Sequence, residues 1–349
     1  MGNAFACASK KAKKSGEFGS KRKGSNSMEE ELLHRQALAM AIQQHQQFSQ
    51  RFENNGSMSR RVGSTSSRRR PADSSDSLSK NNSKKLSSEM LENIKTKKFI
   101  LIHGEGFGAW CWYKTIALLD ESGLDPVALD LTGSGIDTTD TNIVTTLEDY
   151  SKPLIEFLQK LPDDEQVILV GHSSGGACVS YALEQLPNKI SKAVYVCATM
   201  ISDGHRPFDV FAEELGSTEL FSPDSKSLIY SNGKDKPPTG FMFEKQLMRD
   251  LYFNQSPSKD VALAMVSMKP VPLGPMMEKV CLSEEKYGKG SRFYIQTLDD
   301  NALSSDIQER LVRENPPQGV FNIKGSDHCP FFSKPQSLHK ILIEIAQIS

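Results

Sequence analysis

The sequence predicts an α/β domain over residues 95–349, built on a mostly parallel, doubly wound sheet, and three observations carry that prediction. Six short apolar, β-branched-rich runs recur: KFILIH (98–103), PVALDL (126–131), QVILVG (166–171), AVYVCA (193–198), RFYIQT (292–297) and GVFNIK (319–324). They are near-continuous rather than alternating, as strands covered on both faces must be. Helix-length segments lie between several of them, at 112–123, 147–161, 174–186, 303–314 and 334–348. Strands alternating with helices pair in parallel. The third observation is a strand that runs through a glycine-rich turn straight into a helix, VILVGHSSGGACVSYALE.

One interval breaks the alternation. Residues 199–291 separate two core strands by far more than a crossover needs, and they hold helix-compatible pieces such as FMFEKQLMRDLYFN and KDVALAMVSM. A small lid, or cap, subdomain inserted at about 199–291 accounts for them better than a long bare loop does.

Residues 1–94 are of a different kind. They hold 17 Lys+Arg against 9 Asp+Glu, with 18 serines, so the near-neutral whole is a basic arm of net +8 joined to an acidic domain of net −9. The arm has too few large apolar residues to offset its ordering entropy and reads as disordered. It opens MGNAFAC, half of an N-myristoylation signal, with Ala6 where Ser or Thr is usual, then Cys7 and the basic clusters KKAKK and KRK. Peripheral membrane contact at a cytosolic face, through acylated Gly2 and Cys7 and the basic clusters, is the alternative to import that this motif raises for the arm. Residues 29–48 can form an amphipathic helix with Leu33, Ala37, Met40 and Ala41 on one side. The run SRRVGSTSSRRR has no interleaved aromatics, which argues for a solvated linker and against nucleic-acid binding. No apolar run approaches the roughly 20 residues that span a bilayer. The six cysteines are scattered without a CxxC pair, which reads as reduced thiols.

The chemistry concentrates at the turn. Gly171-His172-Ser173-Ser174-Gly175 is a G-x-S-x-G pattern between a strand and a helix, the context in which a nucleophilic serine is strained and presented at the top of a sheet. Its neighbours must be small, and the following helix turns its N-terminus toward developing negative charge. This makes the fold an α/β-hydrolase fold with Ser173 as nucleophile. A serine needs a base and the base an orienting acid, in the chain order Ser, acid, His. Of seven histidines, His34 and His45 lie in the arm, His339 lies in the last helix, His172 adjoins the nucleophile and His205 begins the insertion. His103 is expected to hold the loop after the first strand. Position selects His328, past the last strand. The acid should follow RFYIQT, where LDD offers Asp299 and Asp300, with Asp203 a rarer alternative; Asp300 is favoured. The oxyanion donors should be the backbone N–H groups of Ser174 and, from the loop HGEGFGAWCWY, of Glu105.

HGEGFGAWCWYK, ALDLTGSGID, DYSKPLIEFL, ILVGHSSGG, YIQTLDD and IKGSDH resemble the plant methylesterase family, relatives of hydroxynitrile lyases, over about residues 98–349. The resemblance implies hydrolysis of methyl esters of small plant carboxylic acids such as jasmonate, salicylate or indole acetate, with no cofactor and no metal. It places the triad on Ser173, Asp300 and His328 and tips the choice to Asp300. Two departures stand out. Ser174 replaces a bulkier apolar residue, and Glu105 replaces a small one, its side chain expected to face solvent because only its N–H is needed. The lid is expected to supply an acyl pocket, with Phe208, Phe241, Phe243, Leu251 and Met265 as candidates. A hydroxynitrile lyase is disfavoured: the family's lyases carry a Thr and a Lys where this chain has Gly104 and Cys329. The alternative of another class is a slow-turnover hormone receptor on the same fold. Long N-terminal extensions in one subgroup are regarded as chloroplast transit peptides. The Ser/Arg-rich arm fits that reading, whereas Glu29–Glu31 do not. The oligomeric state stays open, a homodimer among the options.

Overall fold

The computed structural model describes residues 92–214 and 228–349; the arm, with its acylation motif, its 29–48 helix and its basic run, lies outside the described residues. The core is a six-stranded sheet of β1 (Lys98–Ile102), β2 (Asp125–Leu129), β3 (Val167–His172), β4 (Ile190–Val196), β8 (Arg292–Thr297) and β9 (Gly319–Ile323), in the order β2-β1-β3-β4-β8-β9. Every pair in it is parallel.

The continuous apolar runs have a direct cause. Phe99 and Leu101 of β1, with Ile168 and Val170 of β3, enter one buried cluster, which also takes Leu338, Leu342 and Ile345 of the last helix, α10 (Pro335–Gln347). Ile100 and Ile102, with Val167 and Leu169, enter the other, beneath α2 (Leu147–Gln159) and α3 (Gly175–Gln185). Successive side chains point to opposite faces, so a strand covered on both sides must be apolar at every position. α1 (Tyr113–Glu121) packs beside α10 on the first face. A capping box opens α2, with Thr146 Oγ1 accepting from Asp149 N and Asp149 Oδ2 from Thr146 N, which satisfies two N–H groups a helix start would otherwise leave unpaired.

Boundaries differ from expectation where a side chain or a strained residue intervenes. β2 ends at Leu129 because Asp130 turns the chain, its two carboxylate oxygens accepting from Ala109 N at 2.7 Å and Ile136 N at 3.1 Å. β4 stops at Val196 because Cys197 takes a left-handed φ of 36°. The insertion between β4 and β8 contains α4 (Pro207–Glu214), β5 (Leu228–Ile229), β6 (Gly240–Phe241), α5 (Lys245–Leu251), α6 (Ser258–Ser267), β7 (Val271–Pro272) and α7 (Gly274–Met277). Each helix-compatible stretch contains a helix there, α5 and α6, while Phe241 at the head of the first lies in β6. The three-stranded antiparallel sheet β5-β6-β7 was not anticipated, since two-residue strands carry no readable period. A buried carboxylate ties this cap to the core: Asp260 of α6 accepts from Tyr113 at 2.6 Å and from Lys114 at 2.5 Å.

Candidate active site

β3 delivers Ser173 to the top of the sheet with a φ of 51°, a conformation that L side chains rarely adopt. Sterics at the turn explain the flanking glycines. A Cβ on Gly171 would stand 2.6 Å from Val179 Cγ2, and one on Gly175 would strike the carbonyl of His103. The turn is pinned by its own carbonyl, which accepts from Gly176 N and Thr199 N, both at 3.0 Å.

His328 follows β9 and reaches the same point. Its Nε2 lies 2.8 Å from Ser173 Oγ, and its Nδ1 lies 2.8 Å from Asp300 Oδ2. All three residues are buried. Asp300 follows β8, as the chain order requires, and its far oxygen Oδ1 accepts from Ala302 N and Leu303 N at 2.8 Å each, while Thr297 Oγ1 donates to Oδ2. Asp299 is exposed and accepts from Gly325 N at 2.6 Å, so it holds the loop after β9 rather than the imidazole. Asp203, the other alternative, accepts from Leu282 N at the edge of the cap. Burial by itself works against a charged imidazole, but the Asp300 carboxylate, by charge and hydrogen bond, outweighs it and holds His328 well above its ordinary 6.5. The backbone of His328 is clamped too, its carbonyl meeting His172 Nε2 at 2.7 Å and Cys197 Sγ at 3.2 Å. Burial pushes His172 well below 6.5, which keeps it neutral.

The side chain of Glu105 corrects the sequence reading. It is buried rather than facing solvent. Its Oε2 accepts from Ser174 N at 3.1 Å, and its Oε1 lies 3.0 Å from Ser173 Oγ and 2.5 Å from the Tyr252 hydroxyl. The reason lies in how the loop is held. Gly106, at a φ of 76°, folds the loop tightly against the elbow, and the cap closes over it, Lys269 N donating to Gly106 O at 3.0 Å. The carboxylate then has donors inside and a cap outside. His103 holds the base of this loop, with Nδ1 2.7 Å from Gly104 O and Nε2 accepting from Leu131 N.

The comparisons with known proteins show the family and the fold. A family model described as "Alpha/beta hydrolase family" matches residues 99–340. The chain is 67% identical to "Putative methylesterase 12, chloroplastic" of Arabidopsis thaliana, over all of both sequences. The chain belongs to the plant methylesterase family. Among solved structures it is similar to the Arabidopsis methylesterase MES16, at a TM-score of 0.63 and 37% identity, covering 71% of this chain and 98% of that one. It is also similar to polyneuridine aldehyde esterase, at a TM-score of 0.66 and 32% identity, covering 72% of this chain and 100% of that one. The family is one of carboxylic ester hydrolases on a mostly parallel α/β sheet, the fold found here.

Within this methylesterase site the five pocket candidates do not come together. Phe243, Leu251 and Met265 pack against the cluster that contains Phe107, Tyr252, Phe253 and Phe331, and Tyr252 stands edge-on to the His328 ring, 4.6 Å between centroids. Phe241 lies in the small cap sheet and clusters with Leu228, Val271 and Leu273, beside Phe243. Phe208 packs on the opposite core cluster, with α2 and α3. Tyr252 and Cys197 were missed by sequence reasoning, and neither carries a local signal. His172, Cys197 and His328 offer atoms within 4.8 Å of one another. Both His328 nitrogens already face Asp300 and Ser173, and His172 Nε2 and Cys197 Sγ face the His328 carbonyl, which leaves His172 Nδ1 as the one atom of this set without a hydrogen-bond partner among the described residues.

Proposed function

We propose that the protein is a serine carboxylesterase that hydrolyses methyl esters of small carboxylic acids. The observation that supports this best is the imidazole of His328 held between Ser173 Oγ and Asp300 Oδ2 at 2.8 Å on each side. In the reaction, His328 takes the hydroxyl proton as Oγ attacks the ester carbonyl. It returns that proton to the departing methoxide as methanol, then activates the water that frees the acid from the acyl-enzyme. The backbone N–H groups of Ser174 and Glu105 are the proposed oxyanion donors, each worth roughly 100- to 1,000-fold in rate. Phytohormone-type esters such as methyl jasmonate, methyl salicylate and methyl indole acetate form the substrate class. A panel of these esters, assayed by release of the free acid, tests it; no turnover across the panel would remove the substrate assignment.

The raised His328 sets the pH dependence. Hydrolysis needs the neutral imidazole, so kcat/KM should fall as the pH drops through a value above 6.5. The linked stability runs the other way. A group raised on folding stabilises the fold below its unfolded value near 6.5, and that contribution is lost as the pH rises through the folded value. A pH–rate profile with its acid limb below 6.5 would contradict the assignment.

We place the protein in the chloroplast, with the basic arm as its import segment, a reading supported by the chloroplastic relative and by the arm's Ser/Arg content. Mass spectrometry of the mature protein should find an N-terminus near residues 60–90, whereas an acylated Gly2 would support membrane anchoring instead. One observation favours the second functional reading, slow turnover: the carboxylate of Glu105 on the Ser174 N–H.

A further inference from the structure

The nucleophile has one hydrogen and two acceptors within reach of it. Ser173 Oγ carries one hydrogen and faces His328 Nε2 at 2.8 Å and Glu105 Oε1 at 3.0 Å. If that hydrogen goes to Glu105, the contact with His328 must be made by an Nε2–H. The imidazole, whose Nδ1–H already serves Asp300, is then doubly protonated and cannot act as a base. If the hydrogen goes to His328, Glu105 Oε1 faces the Oγ lone pairs and keeps only the Tyr252 hydroxyl as its donor. Glu105 therefore competes with His328 for the one hydrogen that the base must take.

The second consequence is steric. Oε2 of Glu105 takes the Ser174 N–H at 3.1 Å, and that N–H is the one an ester carbonyl oxygen needs as it becomes an oxyanion. Neither the carbonyl nor the oxyanion can enter while the carboxylate is there, and an ionised carboxylate would also repel the developing charge. The occupant is well held. Tyr252, at the end of α5 in the cap, donates its hydroxyl to Oε1, and Ser174 on the elbow donates to Oε2. The carboxylate is therefore tied to the cap at one oxygen and to the nucleophile turn at the other.

We propose that Glu105 is a resident occupant of the oxyanion hole, which keeps the triad in a resting form until its carboxylate is moved off the Ser174 N–H. This inference rests on the esterase reading of Ser173 and concerns the regulation of that same site. Because Tyr252 anchors the carboxylate from the cap, a substrate that displaces the cap segment draws the occupant away as it enters. The cap thereby selects ligands large enough to shift it and suppresses hydrolysis of those that are not.

The full-length protein, Glu105→Ala, Glu105→Gln, Tyr252→Phe and Ser173→Ala test this. Three readouts are needed: kcat/KM on p-nitrophenyl acetate, the rate of fluorophosphonate labelling, and thermal melts to verify folding. Glu105→Ala frees a donor typically worth 100- to 1,000-fold and should be at least tenfold faster than the unsubstituted protein in both reactions. Glu105→Gln keeps the bulk in the hole and should gain less than Glu105→Ala. Tyr252→Phe loosens the carboxylate without removing it and should give a smaller gain; should Glu105→Ala fail to fold, this variant and the Gln variant decide. Folded, Ser173-labelled variants no faster than the unsubstituted protein would overturn the inference and leave the esterase reading standing. If no variant labels at Ser173, the esterase reading falls and the inference with it.

Discussion

Ser173→Ala is expected to lower ester hydrolysis by several orders of magnitude, by analogy with the roughly million-fold loss in other serine hydrolases. The loss is to be read against the faster of the unsubstituted protein and Glu105→Ala, so that the occupied oxyanion hole does not mask it. The size of the effect follows from the geometry. His328 Nε2 has Ser173 Oγ at 2.8 Å, and no second hydroxyl is hydrogen-bonded to that nitrogen among the described residues. Ser174, next along the chain, is buried, but its Oγ has no hydrogen-bond partner among the described residues, so it has no base to replace Ser173. Without Oγ there is no acyl-enzyme, and what remains is water attack in a site whose donors are already taken. The measurement is steady-state hydrolysis together with loss of fluorophosphonate labelling at position 173. Near-normal hydrolysis in this variant would refute the nucleophile assignment.

Asp300→Asn is expected to cost about 10,000-fold in turnover, the size seen when the corresponding acid is made an amide in another serine hydrolase. The local hydrogen bonds dictate why. Oδ1 accepts from two backbone donors, Ala302 N and Leu303 N, both at 2.8 Å. An asparagine must therefore keep its carbonyl oxygen on that side and present its NH₂ group to His328 Nδ1. Facing a donor, Nδ1 must accept, so the imidazole hydrogen moves to Nε2 and points at Ser173 Oγ. The base is then blocked by its own tautomer while the fold is preserved. Asp299→Asn is the control. That carboxylate binds Gly325 N and does not reach the imidazole, so turnover should stay within a few-fold. A large loss in the control with little in Asp300→Asn would move the acid to position 299.

Much of the architecture is legible without coordinates because it is written in local patterns. KFILI and VILVGH are apolar at successive positions, and only a strand with a packed layer on each face has use for that. The elbow is legible for the same reason. Glycines at 171 and 175 around a serine between strand and helix form a pattern only five residues long, although the neighbours that demand them, Val179 and His103, lie outside it along the chain. His328 follows from topology, since a single histidine stands between the last strand and the last helix. The small cap sheet escapes such reading because strands of two residues show no alternation, and the cap's pocket residues escape it because apolar side chains in an insertion serve equally well as its own core.

By itself the sequence determined the sheet, the position of the insertion, the nucleophile turn and the histidine that faces it, because each depends on neighbours a few residues away or on the order of elements. Tertiary structure supplied the contact by which Asp300, already favoured over Asp299, holds the imidazole, and it alone turned Glu105 inward to the Ser174 N–H beneath Tyr252. Those outcomes depend on contacts across 28 to 147 positions of chain. There, the donors that meet at the carboxyl end of the sheet decide where a charge can be buried, and no local pattern records them.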